Sequence, residues 1–142
     1  MKYLLTYSLI WMTGMIYGQK SIKVEVSADT VVAGQLVEVT YTIENGEGKF
    51  DGPDLHDLPL MSGPNVSSSF MIQNGSKSSS QSYTYIFKPN KEEVIHVPQA
   101  FYHENGKTQT IEPITITVVS TLDDWVNEQR QSLKPIREKK KI

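Results

Sequence analysis

The densest group of side chains able to do chemistry is Asp51, Asp54, His56 and Asp57, whose carboxylates and imidazole are the donor types that hold calcium or a transition metal. Their spacing matches no standard cation loop, and acidic residues set among Gly52, Pro53 and Pro59 read as a solvated loop. His96 and His103 fall seven residues apart on what reads as one strand, so strict alternation points them to opposite faces and keeps them from acting as a pair. Serine is plentiful, yet no G-x-S-x-G elbow presents one as a nucleophile. Gly46 and Gly48 lack the following helix and the basic residue of a phosphate cradle. The chain has no cysteine, which excludes a thiolate zinc site, a cysteine nucleophile and any disulfide staple. The expectation is a non-enzyme with no catalytic residue, no cofactor and no metal.

Charge narrows the class further. The formal net charge of -2 hides an acidic body, with 8 basic and 15 acidic residues between 20 and 133, and a basic end, with 5 basic and 1 acidic between 134 and 142. An acidic body argues against nucleic acid, whose phosphates need a basic face. The end carrying Lys134, Arg137, Lys139, Lys140 and Lys141 reads as a solvated terminus, with attraction to an acidic partner or anionic lipid as its functional alternative.

Lys2 followed by an apolar run from Tyr3 to Gly18 is the layout of a secretory signal peptide, and the run is too short and too interrupted by Thr6, Ser8 and Thr13 to span a bilayer. Residues 1–18 are therefore expected to be removed, leaving an exported protein, periplasmic or secreted, that starts near Gln19 and has no transmembrane anchor. The remaining length suits one domain.

What must position the polar residues is a set of strands. Ile22, Val24 and Val26 alternate with polar neighbours, as do Val37, Val39, Tyr41 and Ile43, which is the period of half-buried strands. Asn-Gly stands at 45–46, 74–75 and 105–106, and this dipeptide accepts the positive φ of tight hairpins. A two-residue loop at Asn74-Gly75 pairs Val66 with Tyr83, Phe70 with Ser79 and Ile72 with Lys77 on a core face. The same register sets Ser67 against Ser82, Ser69 against Ser80 and Met71 against Ser78 on a serine-lined surface. A loop at Asn105-Gly106 pairs Ala100 with Ile111, Val97 with Ile114 and Ile95 with Ile116, and the apolar parity flips where Pro98 meets Pro113, the mark of a bulge or bend. Between Glu47 and Pro64 periodicity lapses into a crossover loop anchored by Phe50, Leu55 and Leu58. After Val119, the residues Leu122, Trp125, Val126 and Leu133 recur at helical spacing, Thr121 and Asp124 offer a cap, and Pro135 ends the pattern.

The run from Gly63 to Pro89, with its Gly-Pro-Asn-Val-Ser-Ser-Ser-Phe opening and its Ser-Tyr-Thr-Tyr-Ile-Phe-Lys-Pro close, resembles the first immunoglobulin-like domain of the BatD oxygen-tolerance family. Ser27–Thr42 with its Gly34 turn resembles that domain's opening strands, and Val97-Pro98 with Asn105-Gly106-Lys107 its closing hairpin, so the likeness covers residues 21–119. The resemblance implies an exported bacterial protein, notably of Bacteroidetes, working beside von Willebrand factor A domain proteins in aerotolerance or envelope stress. Full-length members continue into further domains and a C-terminal transmembrane segment, whereas this sequence reads as one domain and a basic tail, and Glu93 stands where a glycine is usual. Only the role of the N-terminal module carries over, and no catalytic residue does.

The sequence reading is thus an all-β, immunoglobulin-like antiparallel sandwich over 19–120, followed by a short amphipathic helix and basic tail over 121–142. Its expected work is docking on a protein partner of the cell envelope through strand edges or faces. Leu122 and Trp125 on the helix and Ser69 and Ser80 on the serine face are the candidate contact residues. The helix is expected to pack on its own sandwich. A carbohydrate-binding or adhesive module is the alternative, with Phe101 and Tyr102 as the exposed aromatics it would need.

Overall fold

A computed structural model describes residues 18–133; the expected leader up to Tyr17 and the basic tail from Lys134 lie outside the described residues. In chain order the elements are β1 (Ser21–Val26), β2 (Thr30–Val32), β3 (Val37–Glu44), β4 (Lys49–Asp51), β5 (Leu60–Gln73), β6 (Ser76–Phe87), β7 (Glu93–Val97), β8 (Ala100–Glu104), β9 (Lys107–Ile111), β10 (Ile114–Val119) and α1 (Leu122–Ser132). One layer is a four-stranded sheet in the order β1-β3-β6-β5. Across the core stand two three-stranded sheets, β2-β10-β7 and β4-β8-β9.

Alternation decides what is buried. Val37, Val39, Tyr41 and Ile43 of β3 point inward and their neighbours do not. With Tyr85 and Phe87 of β6, Val37, Val39 and Tyr41 form one core cluster with Ile95, Val97, Ala100, Ile111, Ile116 and Val118 from the opposite layer. Each fully buried Val, Ile or Phe contributes roughly 1.5–3 kcal/mol of transfer free energy, which a chain without disulfides depends on. Burial pushes the pKa of the Tyr41 phenol up to about 12, so it stays neutral.

The registers expected from the Asn-Gly turns hold. Asn74 and Gly75 adopt φ 51 and 76, Asn105 and Gly106 φ 53 and 72, and both hairpins pair as those two-residue loops require. Pairing continues through Ile114↔Val97 and Ile116↔Ile95, while the strands break at Pro98-Gln99 and Glu112-Pro113. There one long hairpin passes from one three-stranded sheet into the other. Neither proline has a ladder N–H, and the buried parity switches from Ile95 and Val97 to Ala100 and Tyr102.

Four expectations are corrected. Asn45-Gly46 is not a hairpin: Asn45 is left-handed, with φ 53, but β3 pairs with β1 and β6, and the chain after the turn crosses to pair β4 with β8. The crossover loop holds that short β4, and β5 already begins at Leu60; Phe50, Leu55 and Leu58 do pack on the core as anchors. His96 and His103 sit on separate strands, β7 and β8, because Pro98 interrupts them. The ladders are antiparallel except for a short parallel one between β2 and β10.

Helix α1 forms where expected, with Thr121 as N-cap accepting from the Asp124 N–H and both carboxylates of Asp123 and Asp124 in its first turn. It does not pack as expected. Every residue of α1 is exposed, Trp125 by 36% and Leu122 by 54%, and its contacts are with β10. The core is made by strand side chains and loop anchors, and no residue of α1 joins it.

Candidate functional site

The hairpin β5–β6 begins as part of the sandwich and ends outside it. β6 pairs with β3 from Phe87 down to Ser80, which lies opposite Glu44, the last residue of β3. One residue further, Asn45 clamps the hairpin: its backbone N–H donates to the Ser79 carbonyl at 2.8 Å and its side-chain Oδ1 accepts from the Ser79 N–H at 3.1 Å. Beyond Ser79 no third strand lies beside the arm among the described residues.

All of β5 is exposed, including Val66 (55%), Phe70 (66%) and Ile72 (61%). These residues hold the register expected and lie on the side of the sheet that faces the core, but the expected burial fails. The opposite layer does not extend over β5, the outermost strand, or over the arm's tip.

The edge of β5 can be read from the clamp. Both backbone groups of Ser79 are taken by Asn45, so Ser79 and Phe70 form a non-hydrogen-bonded pair, and the Phe70 N–H and C=O point away from β6. Alternation extends this to Val66, Ser68 and Ile72. Among the described residues these outward backbone groups have no partner, and they include those of Val66, Phe70 and Ile72, whose apolar side chains are exposed. No Asp, Glu, Lys, Arg or His occurs from Leu60 to Ser76. Sheet edges are ordinarily blunted by charge, so an uncharged edge this long is open to pairing.

The two faces of the arm differ. The outer face is a ladder of hydroxyls in which Thr40 bonds Thr84 at 3.0 Å and Thr42 bonds Ser82 at 3.1 Å. Ser69 and Ser80 are direct cross-strand partners on it, so the structure brings these two candidates together. Leu122 and Trp125 belong to α1, which touches the other layer. The inner face borders a groove of about 650 Å³ lined by Asn45, Glu47, Phe70, Lys77 and Ser79. A smaller hollow of about 310 Å³ adjoins it over Ile43, Ser68 and Gln81.

A polar network braces the turn that carries the clamp. The Glu104 carboxylate accepts from Lys20 at 2.9 Å, from the Glu47 N–H at 2.7 Å and from the Tyr102 hydroxyl at 3.1 Å. The Tyr102 hydroxyl in turn accepts from the Gly48 N–H at 2.6 Å, and the Lys20 ammonium lies 5.1 Å from the Tyr102 ring centroid. The Lys20 bond first, then the Glu47 amide, hold the Glu104 carboxyl down at about 2. Glu47 and Gly48 come just after the Asn45-Gly46 turn, so this network fixes the root of the arm.

Sequence reasoning missed what Asn45, Tyr102 and Glu104 do at the root of the arm. Only the positive-φ preference of Asn45 left a local signal; the Gly48–Tyr102 bond joins residues 54 apart. Tyr102, expected as an exposed aromatic, is buried, and Phe101 is half-buried, so the expected glycan platform is absent at these two residues.

Asp51 ends β4 and Asp54, His56 and Asp57 lie in the loop after it; all four are exposed, and Asp54 accepts the His56 N–H in a local turn. Among the described residues no group of three or more His, Asp or Glu is arranged to hold a metal ion. No described helix is long and apolar enough to cross a membrane. Residues 24–118 match the family model described as BatD DUF11 like domain. No curated protein matches the chain.

Proposed function

The chain belongs to the BatD family, and we propose that it serves there as an exported, non-catalytic interaction module whose β5–β6 arm docks on a protein of the cell envelope. The observation that carries this reading is the arm: an uncharged edge strand, exposed on both faces and clamped at its root by Asn45. Free strand edges recognise polypeptide through main-chain bonds, with alternate side chains supplying specificity. Phe70 and the hydroxyls of Ser69 and Ser80 are the contacts offered on the two faces, and the exposed Leu122 and Trp125 of α1 offer a separate one. The leader-like layout of residues 1–18 supports export. The family resemblance makes von Willebrand factor A domain proteins the first candidate partners, and aerotolerance or envelope stress the process served.

The test is affinity recovery of the tagged full-length gene product from its own host after fractionation. The expected result is that it fractionates with the envelope and that a von Willebrand factor A domain protein co-purifies with it. Retention in the cytoplasm, or recovery of no specific protein, would overturn the reading.

A further inference from the structure

We infer that β5 pairs edge to edge with β5 of a second copy of this chain, antiparallel and centred on Ser69, joining two four-stranded sheets into one. The inference rests on reading the arm as a docking element and names a second copy as the occupant of its edge, which leaves the arm's two faces, with Phe70 on one and Ser69 and Ser80 on the other, to the envelope protein.

The regular part of β5 is bounded on one side by the register shift before Asn65 and on the other by the Asn74-Gly75 turn, leaving Asn65–Gln73, whose midpoint is Ser69. In an antiparallel pair each hydrogen-bonded position must face another whose backbone groups also point outward. Those positions are Val66, Ser68, Phe70 and Ile72, and a two-fold axis at Ser69 sets Val66 against Ile72 of the copy and Ser68 against Phe70 of the copy. All four outward-pointing residues are then matched.

Side chains fit the same register. Val66 meets Ile72, the large Phe70 meets the small Ser68, and on the hydroxyl face Asn65 meets Gln73, Ser67 meets Met71 and Ser69 meets its own counterpart. Charge points to a copy of the chain rather than to a charged partner strand. With no ionisable side chain from Leu60 to Ser76, the strand can meet itself without setting like charges opposite each other, which is destabilising across a ladder. The other edge of the same sheet, β1, carries Lys23 and Glu25 and is blunted in the ordinary way.

The test uses the purified chain at high micromolar concentration. Sedimentation should give twice the mass of the chain, and Ser68→Pro, which removes an outward N–H without touching the β5–β6 ladder, should weaken self-association by about tenfold or more. A second measurement does not depend on that variant folding. The chain has no cysteine, so Ser69→Cys supplies a single thiol that faces its own counterpart and should form a disulfide-linked dimer under mild oxidation. Ser67→Cys, facing Met71 of the copy, should not. A monomer at that concentration, a dimer indifferent to Ser68→Pro, or equal crosslinking at the two positions would overturn the inference. A wild-type monomer that still recovers an envelope partner would refute the pairing alone; a dimer that recovers none would refute only the envelope docking.

Discussion

One strand, β6, lives in two environments. Near Phe87 it is sandwiched between β3 and the opposite layer, and Phe87 is fully buried; past the Asn45 clamp, from Ser78 to Ser76, β5 is its one neighbouring strand among the described residues. The hairpin register is continuous across both parts, apolar residues recur at the same period, and only what stands opposite them changes. Phe87 and Phe70 are thus the same residue type on the same side of one sheet, one structural and the other presented to solvent. Local pattern sets which way a side chain points, and the reach of the facing layer sets whether pointing inward means being buried.

The comparison breaks most visibly under truncation. Phe87→Ala should lower the unfolding free energy by about 3–5 kcal/mol in chemical denaturation, the cost of a large core cavity. Phe70→Ala should change it by less than about 0.5 kcal/mol, as for an ordinary surface position. Comparable losses at the two sites would mean that the arm is covered.

Between these extremes stands the clamp. Asn45→Gly keeps the left-handed turn but removes the acceptor of the Ser79 N–H, so stability should fall by about 1 kcal/mol. Hydrogen exchange should quicken at Ser79 and toward the arm's tip while the amides of Val39 and Tyr85 keep their protection. Uniformly faster exchange would show the arm to be part of the core's cooperative unit.

The brace at the root gives a pH signature. Glu104 is held below the ordinary carboxylate value, so its contribution is complete above about 4.5 and is lost as pH falls toward about 2. Glu104→Gln should flatten the decline in stability across that window, and an unchanged acid limb in the variant would remove Glu104 as its source.

The smallest effect is expected at the helix. Trp125→Ala should shift stability by less than about 0.5 kcal/mol, because α1 exposes that side chain beside β10 instead of burying it. A loss of several kcal/mol would restore the packing that the helical stripe suggested.

How far the sequence carries the structure follows the same division. Both hairpin registers were legible to the residue because Asn-Gly permits few backbone conformations, and so was the Pro98–Pro113 bend. The N-cap at Thr121 was legible from two side chains. Burial of Val66, Phe70 and Ile72 was misread because their alternation is indistinguishable from that of Tyr41 and Ile43, and the difference lies in a layer contributed by residues far along the chain. Tyr102 was misplaced for a similar reason: the segment that closes over its hydroxyl, Gly46–Gly48, is remote in sequence. Of the candidate contacts, Ser69 and Ser80 were placed correctly opposite each other, whereas the apolar edge beside them became visible only with the clamp at Ser79.

The most direct test of the arm as a docking element is the double variant Phe70→Ser with Ile72→Ser, measured for denaturation midpoint and for recovery of the envelope partner in the same preparation. The account predicts a midpoint within error of the wild type together with loss of the partner. A large drop in stability, or partner recovery equal to that of the wild type, would contradict it.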